Sequence, residues 1–290
     1  MAKSCRGRAR YYNPRAFDHG SYPGEQMSEK VILAETDARG VASVTLNRPD
    51  VFNGYNAEML GELRQIAESL DQDDNVRIVV LRAAGKHFSA GADVNWFREL
   101  ADATEEEQLA AAKLSAYAMR ALYALGKPTI ALVHNACFGG GTGYAAACDI
   151  VVASDDARFS ISEVRLGLTP APILPELVAA IGPRHLRRYA LSGETFDVSE
   201  AQRIGLVHEI CPVGGLDDAA EPIIDALLRG APRAVRETKK LIAQVADMEI
   251  ADVTAENMAA IGARGRSLDE AVEGFTAFFA KRAANWYPGD

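Results

Sequence analysis

The sequence predicts an α/β fold that closes with a long helical stretch, and three observations lead there. Apolar runs of strand length, at 76–81, 129–133 and 149–154, alternate with segments of helical spacing as far as Pro183. Two glycine-rich junctions, HFSAGAD at 87–93 and FGGGTG at 138–143, stand where such a strand passes into a helix. Beyond Pro183 the chain reads almost entirely as helix. Alternation of this kind builds layered α/β domains whose ligand sites lie at strand ends.

Residues 1–26 hold five Lys and Arg, several Gly and Pro and no apolar periodicity, which predicts an irregular or disordered leader. They lack the apolar h-region of a secretory signal. Their basic, acid-poor character fits a transit peptide, and Met27 fits a start codon equally well. VILAETD (31–37) and VASVTLN (41–47) form a strand pair joined by the turn Ala38-Arg39-Gly40. Pro49 ends the second strand. Asn56 is placed to cap a helix over 57–72, in which Met59, Leu60, Leu63, Ile66 and Leu70 recur at helical spacing. VRIVVLRA (76–83) is the third strand, and VNWFREL (94–100) has helical spacing. A long helix spans 104–125, opened by the capping-box pair Thr104 and Glu107. After the strand 129–133 and its glycines, GYAAACDI (143–150) reads as a short helix entering the strand DIVVAS. Helical segments then follow at 184–191, 199–205, 217–230, 232–246, 251–263 and 268–282. Several carry apolar faces that one small layer could not bury, which predicts contact with another subunit.

With 290 residues and 48% hydrophobic content, the chain can bury a large core, as one domain or as a domain with a helical appendage. No apolar run is long enough to span a bilayer, so no membrane is expected. The net charge of -9 argues against broad nucleic-acid binding, which needs a basic face. It leaves room for a phosphate-bearing ligand, for which Arg48, Lys86 and Lys281 are candidates against a default reading as solvated surface. Cys5, Cys137, Cys148 and Cys211 are scattered and form neither CxxC nor a Cys/His ligand set. That pattern suggests a reducing, cytoplasmic setting and no metal, with Cys137 filling space as a small buried residue.

The chemistry concentrates between Asn135 and Leu168. The first turn of a helix offers unpaired N–H groups and the positive end of its dipole, which stabilise an oxygen gaining negative charge. A glycine triplet by itself is a common tight connection, and a carboxylate such as Glu163 by itself reads as surface or as salt-bridged, with Arg165 the candidate partner. The two junctions together weigh differently, because each can give one N–H to a single carbonyl oxygen.

Five stretches carry a resemblance: LNRPDVFNGYN, HFSAGAD, FGGGTGYAAACDI, SEVRLGL and the ending EGFTAFFAKR, in this order between about Glu29 and Trp286. In them the sequence resembles the crotonase, or enoyl-CoA hydratase/isomerase, superfamily. The resemblance implies a crotonase-like spiral of ββα turns with a C-terminal helical trimerisation region. It divides the chain into a spiral core at 27–205 that binds acyl-CoA, and a region at 206–290 for oligomerisation and for covering the coenzyme. It implies an acyl-CoA thioester as partner, trimers or dimers of trimers, and no separate cofactor, since coenzyme A belongs to the substrate.

Carried over by motif position, the oxyanion donors are the N–H groups of Ala92 and Gly140, and the acid/base is Glu163. Phe52 and Gly54, with Ala90, Gly91, Ala92, Asp93 and Val94, follow the pantetheine and adenine. Trp96 and Phe97 shape the acyl pocket or belong to the core. Thr142 and Gly143 face the acyl group, and Phe278 and Lys281 match the terminal FxxK pattern that covers the coenzyme.

One position departs from the family pattern. Two-glutamate hydratases carry their first glutamate where this chain has Gly143. A single carboxylate suffices to shuttle a proton between carbons, as in the isomerases, whereas GGGxG with SEVRLGLxPAxIxP looks most like bacterial hydratases of branched glutaconyl-type acyl-CoAs. There the missing side chain leaves room for a bulky acyl chain. Hydration of a 2-enoyl-CoA is therefore the leading expectation, isomerisation of a 3-enoyl-CoA the second, and non-catalytic acyl-CoA binding or assembly a third of another class.

Overall fold

The computed structural model describes residues 30–246 and 248–289; the expected leader at 1–26, with Cys5, lies outside the described residues. Strands β1 (Ile32–Thr36) and β2 (Val41–Leu46) pair antiparallel across a turn in which Gly40 takes φ +83°, a conformation open to glycine. Helix α1 (Ala57–Gln72) follows, and its cap is as expected: the Asn56 side chain accepts the Met59 N–H at 3.0 Å. It buries Met59, Leu60, Leu63 and Ala67. Each large side chain among them is worth about 1.5–3 kcal/mol on leaving water.

Next come β3 (Ile78–Ala83), α2 (Val94–Ala101) and α3 (Glu105–Tyr123), the last opened by a reciprocal capping box between Thr104 and Glu107. Strands β4 (Thr129–Val133) and β5 (Ala136–Phe138) lead into α4 (Gly140–Ala147), then β6 (Ile150–Ser154) and β7 (Arg158–Ser160). The glycine block thus belongs to the helix itself, which starts three residues before the expected 143. Helix α5 (Leu174–Ser192) is broken at Gly182, φ +69°, just before Pro183. Helix α6 (Val198–Arg203) lies where the sequence predicts a helical segment at 199–205, and strands β8 (Thr195–Asp197) and β9 (Glu209–Cys211) stand in the gaps on either side of it, unread because three-residue strands leave no periodicity. Helices α7 (Leu216–Arg229), α8 (Pro232–Val245), α9 (Asp252–Gly265) and α10 (Asp269–Ala280) complete the chain.

The large sheet has the order β1-β2-β3-β4-β6-β9, parallel from β2 onward, and a small sheet has the order β5-β7-β8. Consecutive pairs reveal a repeat. β4 lies in the large sheet, β5 in the small one and α4 closes the turn; β6, β7 and α5 do the same. Isolated parallel bridges between Ser89 and Cys137 and between Tyr55 and Ala92 extend the inner ladder through the two earlier turns. This is the spiral of ββα turns, followed by the expected C-terminal helices.

Both faces of the large sheet are covered, as its near-continuous apolar runs require. Val79 and Leu81 join the main core with α1, α3, α4 and α5, while Ile78 and Val80 pack with Ala220, Ile224 and Leu228 of α7. All eight residues of α4 are buried, which its small side chains permit. Among the described residues no helix is long and apolar enough to cross a membrane.

Candidate active site

The loop after β2 is held in an uncommon shape. Phe52 and Asn53 both take positive φ, and the buried Asn53 amide donates to the carbonyls of Ala84 and His87, each at 2.8 Å, while its oxygen accepts the Arg48 N–H at 2.8 Å. Residues 52–55 are thereby fastened to the first junction. That junction is zipped on both sides: Ala90 N–H donates to Phe52, Ser89 N–H to Ala136, and the Phe138 N–H donates to Ser89. Ser89 Oγ donates to the Asn53 carbonyl and accepts the Gly91 N–H. Asp93 caps α2 by accepting the Asn95 N–H and pairs with Arg48 at 2.9 Å.

These bonds bring the two glycine junctions into contact. Gly91, φ +99°, faces the second junction so closely that a methyl group there would stand 3.1 Å from the Phe138 carbonyl oxygen. A methyl group at Gly139, φ +52°, would stand 3.0 Å from Glu163 Oε1 and 3.7 Å from the Gly91 Cα. Ala92 and Gly140 follow these two glycines directly. Among the described residues neither of their N–H groups has a backbone acceptor, and Gly140 opens α4, where the helix dipole presents its positive end.

Glu163 reaches the same point from a short 3₁₀ helix, Glu163–Leu166, that ends at Gly167 with φ +76°. Its Oε2 is buried and has no hydrogen-bond partner among the described residues, and burial raises the carboxyl above its ordinary value, against a smaller lowering by its own N–H. Arg165 does not neutralise it; its guanidinium turns to the Ser192 carbonyl and lies against Gly193. A carboxyl without a counterion is suited to exchanging a proton near neutral pH.

Three of the expected positions are already packed or paired within the fold. Thr142 is wholly buried, and its hydroxyl donates to the carbonyls of Cys137 at 2.7 Å and Ser160 at 3.1 Å, so it braces α4. Gly143 leaves no open room: a methyl group there would stand 2.6 Å from Ile173 Cγ2 and 3.4 Å from Met119 Cε. The space that the sequence suggests is free is filled from the turn before α5. Arg48, a candidate for phosphate, is spent on Asp93 and the Gly54 carbonyl.

Gly54 is buried against Asp93, Ala90 and Val94 are exposed, and Trp96 is half-buried with its ring edge toward Tyr55 at 6.1 Å. Phe97 leans on Trp96 at 5.9 Å. Phe278 is exposed and Lys281 ends α10 in a left-handed conformation; the described polar contacts of α10 run to the start of α8 and to the tail, not to the junctions. Cys137, Cys148 and Cys211 are buried free thiols, and burial raises the Cys148 thiol to about 12.

The residue that sequence reasoning missed is Tyr55. Its N–H donates to the Gly91 carbonyl and its carbonyl accepts the Asp93 N–H, each at 2.9 Å, which brackets Ala92; its ring lies against Gly140. The only sequence signal was an aromatic one residue before a helix cap.

A spiral of ββα turns whose two inner junctions converge on one unpaired carboxyl defines a member of the crotonase superfamily. The chain belongs to the enoyl-CoA hydratase/isomerase family, whose model matches residues 36–288. It is 33% identical over 253 residues to the short-chain-enoyl-CoA hydratase of Clostridium acetobutylicum, covering 87% of this chain and 95% of the relative. The trans-2-decenoyl-[acyl-carrier-protein] isomerase of Streptococcus mutans is 33% identical over 220 residues, covering 75% of this chain and 83% of its own. Among solved structures, an enoyl-CoA hydratase from Shewanella pealeana superimposes with a TM-score of 0.84 at 39% identity, covering 88% of this chain and 96% of that one.

Proposed function

We propose that the protein hydrates a 2-enoyl-CoA to a 3-hydroxyacyl-CoA. The observation that supports this reading is the close approach of Gly91 to Gly139, the residues that precede Ala92 and Gly140, together with the buried Glu163 carboxyl, whose Oε1 lies 3.0 Å from where a methyl group on Gly139 would stand. A thioester oxygen held by two fixed donors is stabilised as it becomes an enolate oxygen, which makes the α-carbon accept or release a proton more readily. In hydration, the water oxygen bonds to the β-carbon, its proton passes to Glu163, and the same carboxyl returns a proton to the α-carbon. One water adds across the double bond and no oxidant is consumed. Phe52, Gly54 and the run from Ala90 to Val94 would follow the pantetheine arm, with Phe278 and Lys281 covering the coenzyme, which is part of the substrate.

A second reading has its own support. Moving a proton from the α-carbon of a 3-enoyl-CoA to its γ-carbon needs one carboxyl and no water, and Gly143 contributes no second one; the S. mutans relative is named an isomerase. The test is the ultraviolet absorbance of the conjugated enoyl thioester, followed with crotonyl-CoA, a 3-enoyl-CoA and 3-methylglutaconyl-CoA in parallel. Hydration removes the band from the first or third, and isomerisation creates it from the second. A protein that binds all three and changes none is a binder, and both enzymatic readings fall.

A further inference from the structure

Hydration requires a water to be held toward the β-carbon while a base takes its proton, which one carboxyl does poorly alone. Gly143 offers no side chain, and Ile173 closes the space in front of it. Tyr55 is a polar group placed differently. A methyl group at Gly140 would stand 2.7 Å from the Tyr55 hydroxyl and 2.8 Å from Cζ, so the phenol edge lies directly on the donor residue. The ring is fixed edge-on between Trp96, at 6.1 Å, and Tyr144, at 5.9 Å, and the residue is 6% exposed. Unlike the neighbouring Tyr144 hydroxyl, which is sealed and unpaired, the Tyr55 hydroxyl is not among the sealed groups, and no hydrogen bond occupies it within the described residues.

Tyr55 also senses Glu163. Burial first and the Glu163 charge second push its phenol above the ordinary value, so it stays protonated as a donor close to that carboxyl but not bonded to it. The hydroxyl lies on Gly140 and the carboxyl on Gly139, the adjacent residue, and two polar groups so placed without a direct bond can share a small polar molecule.

We propose that Tyr55 is the second polar side chain of this active site, its hydroxyl holding the reacting water opposite Glu163 while its ring and backbone fix the Gly140 and Ala92 donors. The role rests on the hydratase reading above. It divides Tyr55 into separable parts: the ring braces both donors, which any proton transfer to the α-carbon needs, and the hydroxyl serves only the step that consumes water.

The test is Tyr55→Phe, which removes one oxygen and keeps the ring, assayed beside the parent for hydration of crotonyl-CoA and for isomerisation of a 3-enoyl-CoA. Hydration turnover is expected to fall at least about tenfold, with isomerisation within about twofold and affinity for a saturated acyl-CoA unchanged. Tyr55→Leu, which also loses the bracing ring, is expected to depress both reactions. An active parent with an unchanged ratio in Tyr55→Phe would overturn the role of Tyr55 alone. Equal loss of both reactions with a lowered melting temperature would make Tyr55 a packing residue, and a parent that isomerises but does not hydrate would leave no water for it to hold. A parent inert toward both thioesters would overturn the enzymatic reading itself, and Tyr55 with it.

Discussion

At the scale of single residues, Glu163 combines chemistry with a cost to the fold. Its carboxyl is raised by burial, so the folded chain holds that proton more tightly than the unfolded chain does. Unfolding free energy therefore falls as pH rises through the ordinary carboxylate range toward the raised value, and the loss is complete above it. Glu163→Gln removes that term, so the variant is expected to melt above the parent at neutral pH, with the gap closing in acid; thermal scans across pH measure it. The same substitution keeps shape and removes the base, so turnover should drop at least about a hundredfold with acyl-CoA affinity little changed. Near-parental turnover would mean that another group moves the proton. Asn53 carries a purely structural load. Asn53→Ala strands two carbonyls and one N–H and puts alanine at φ +52°, and at about 1–3 kcal/mol for each stranded buried group it should cost at least about 3 kcal/mol in denaturant unfolding. A loss below about 1 kcal/mol would show the loop to be held elsewhere.

Among the elements, legibility followed how local each signal is. Helix α1 could be bounded from the sequence because its cap and apolar stripe lie within itself, and α3 because its capping box is four residues long. The small-sheet strands were invisible, since three residues show no alternation and their partners come from distant turns. Glu163 could be picked out only through its resemblance, because nothing local distinguishes a half-buried carboxylate in a 3₁₀ turn from a surface one. Gly143 was misread for the converse reason: room beside a glycine is a property of whatever packs there, and Ile173 packs there from thirty residues further on. This makes Gly143→Glu a test of packing. Alone it should cost about 1–3 kcal/mol from overpacking, or several degrees of melting temperature. Pairing it with Ile173→Ala should recover part of that loss. Equal melting temperatures for Gly143→Glu and the parent would mean that Ile173 yields freely and the site is wider than its packing implies.

For the whole molecule, the spiral encloses its core on both faces, whereas the C-terminal helices do not. On α10, Val272, Phe275 and Phe279 recur on one face and are 58%, 58% and 78% exposed. We propose that this face is covered by a second copy of the chain, in a trimer or a dimer of trimers. Light scattering should then give a multiple of 31.2 kDa, and the double substitution Phe275→Asp with Phe279→Asp should shift it toward one chain. A parent that scatters as a single chain would reject the assembly. The attachment of α8 to its own spiral is of the opposite kind. Arg236 reaches Asp71 and Lys239 reaches Asp149, at the edge where the parallel strands begin and away from the converging junctions. Dissolved ions weaken such pairs, since the screening length shrinks from about 8 Å at 0.15 M to about 3 Å at 1 M, while apolar contact gains under excluded salts. An excluded salt such as sulfate thus acts as a two-way dial: it slackens the chain's grip on its own helical tail and would tighten the grip of a second copy in the proposed assembly.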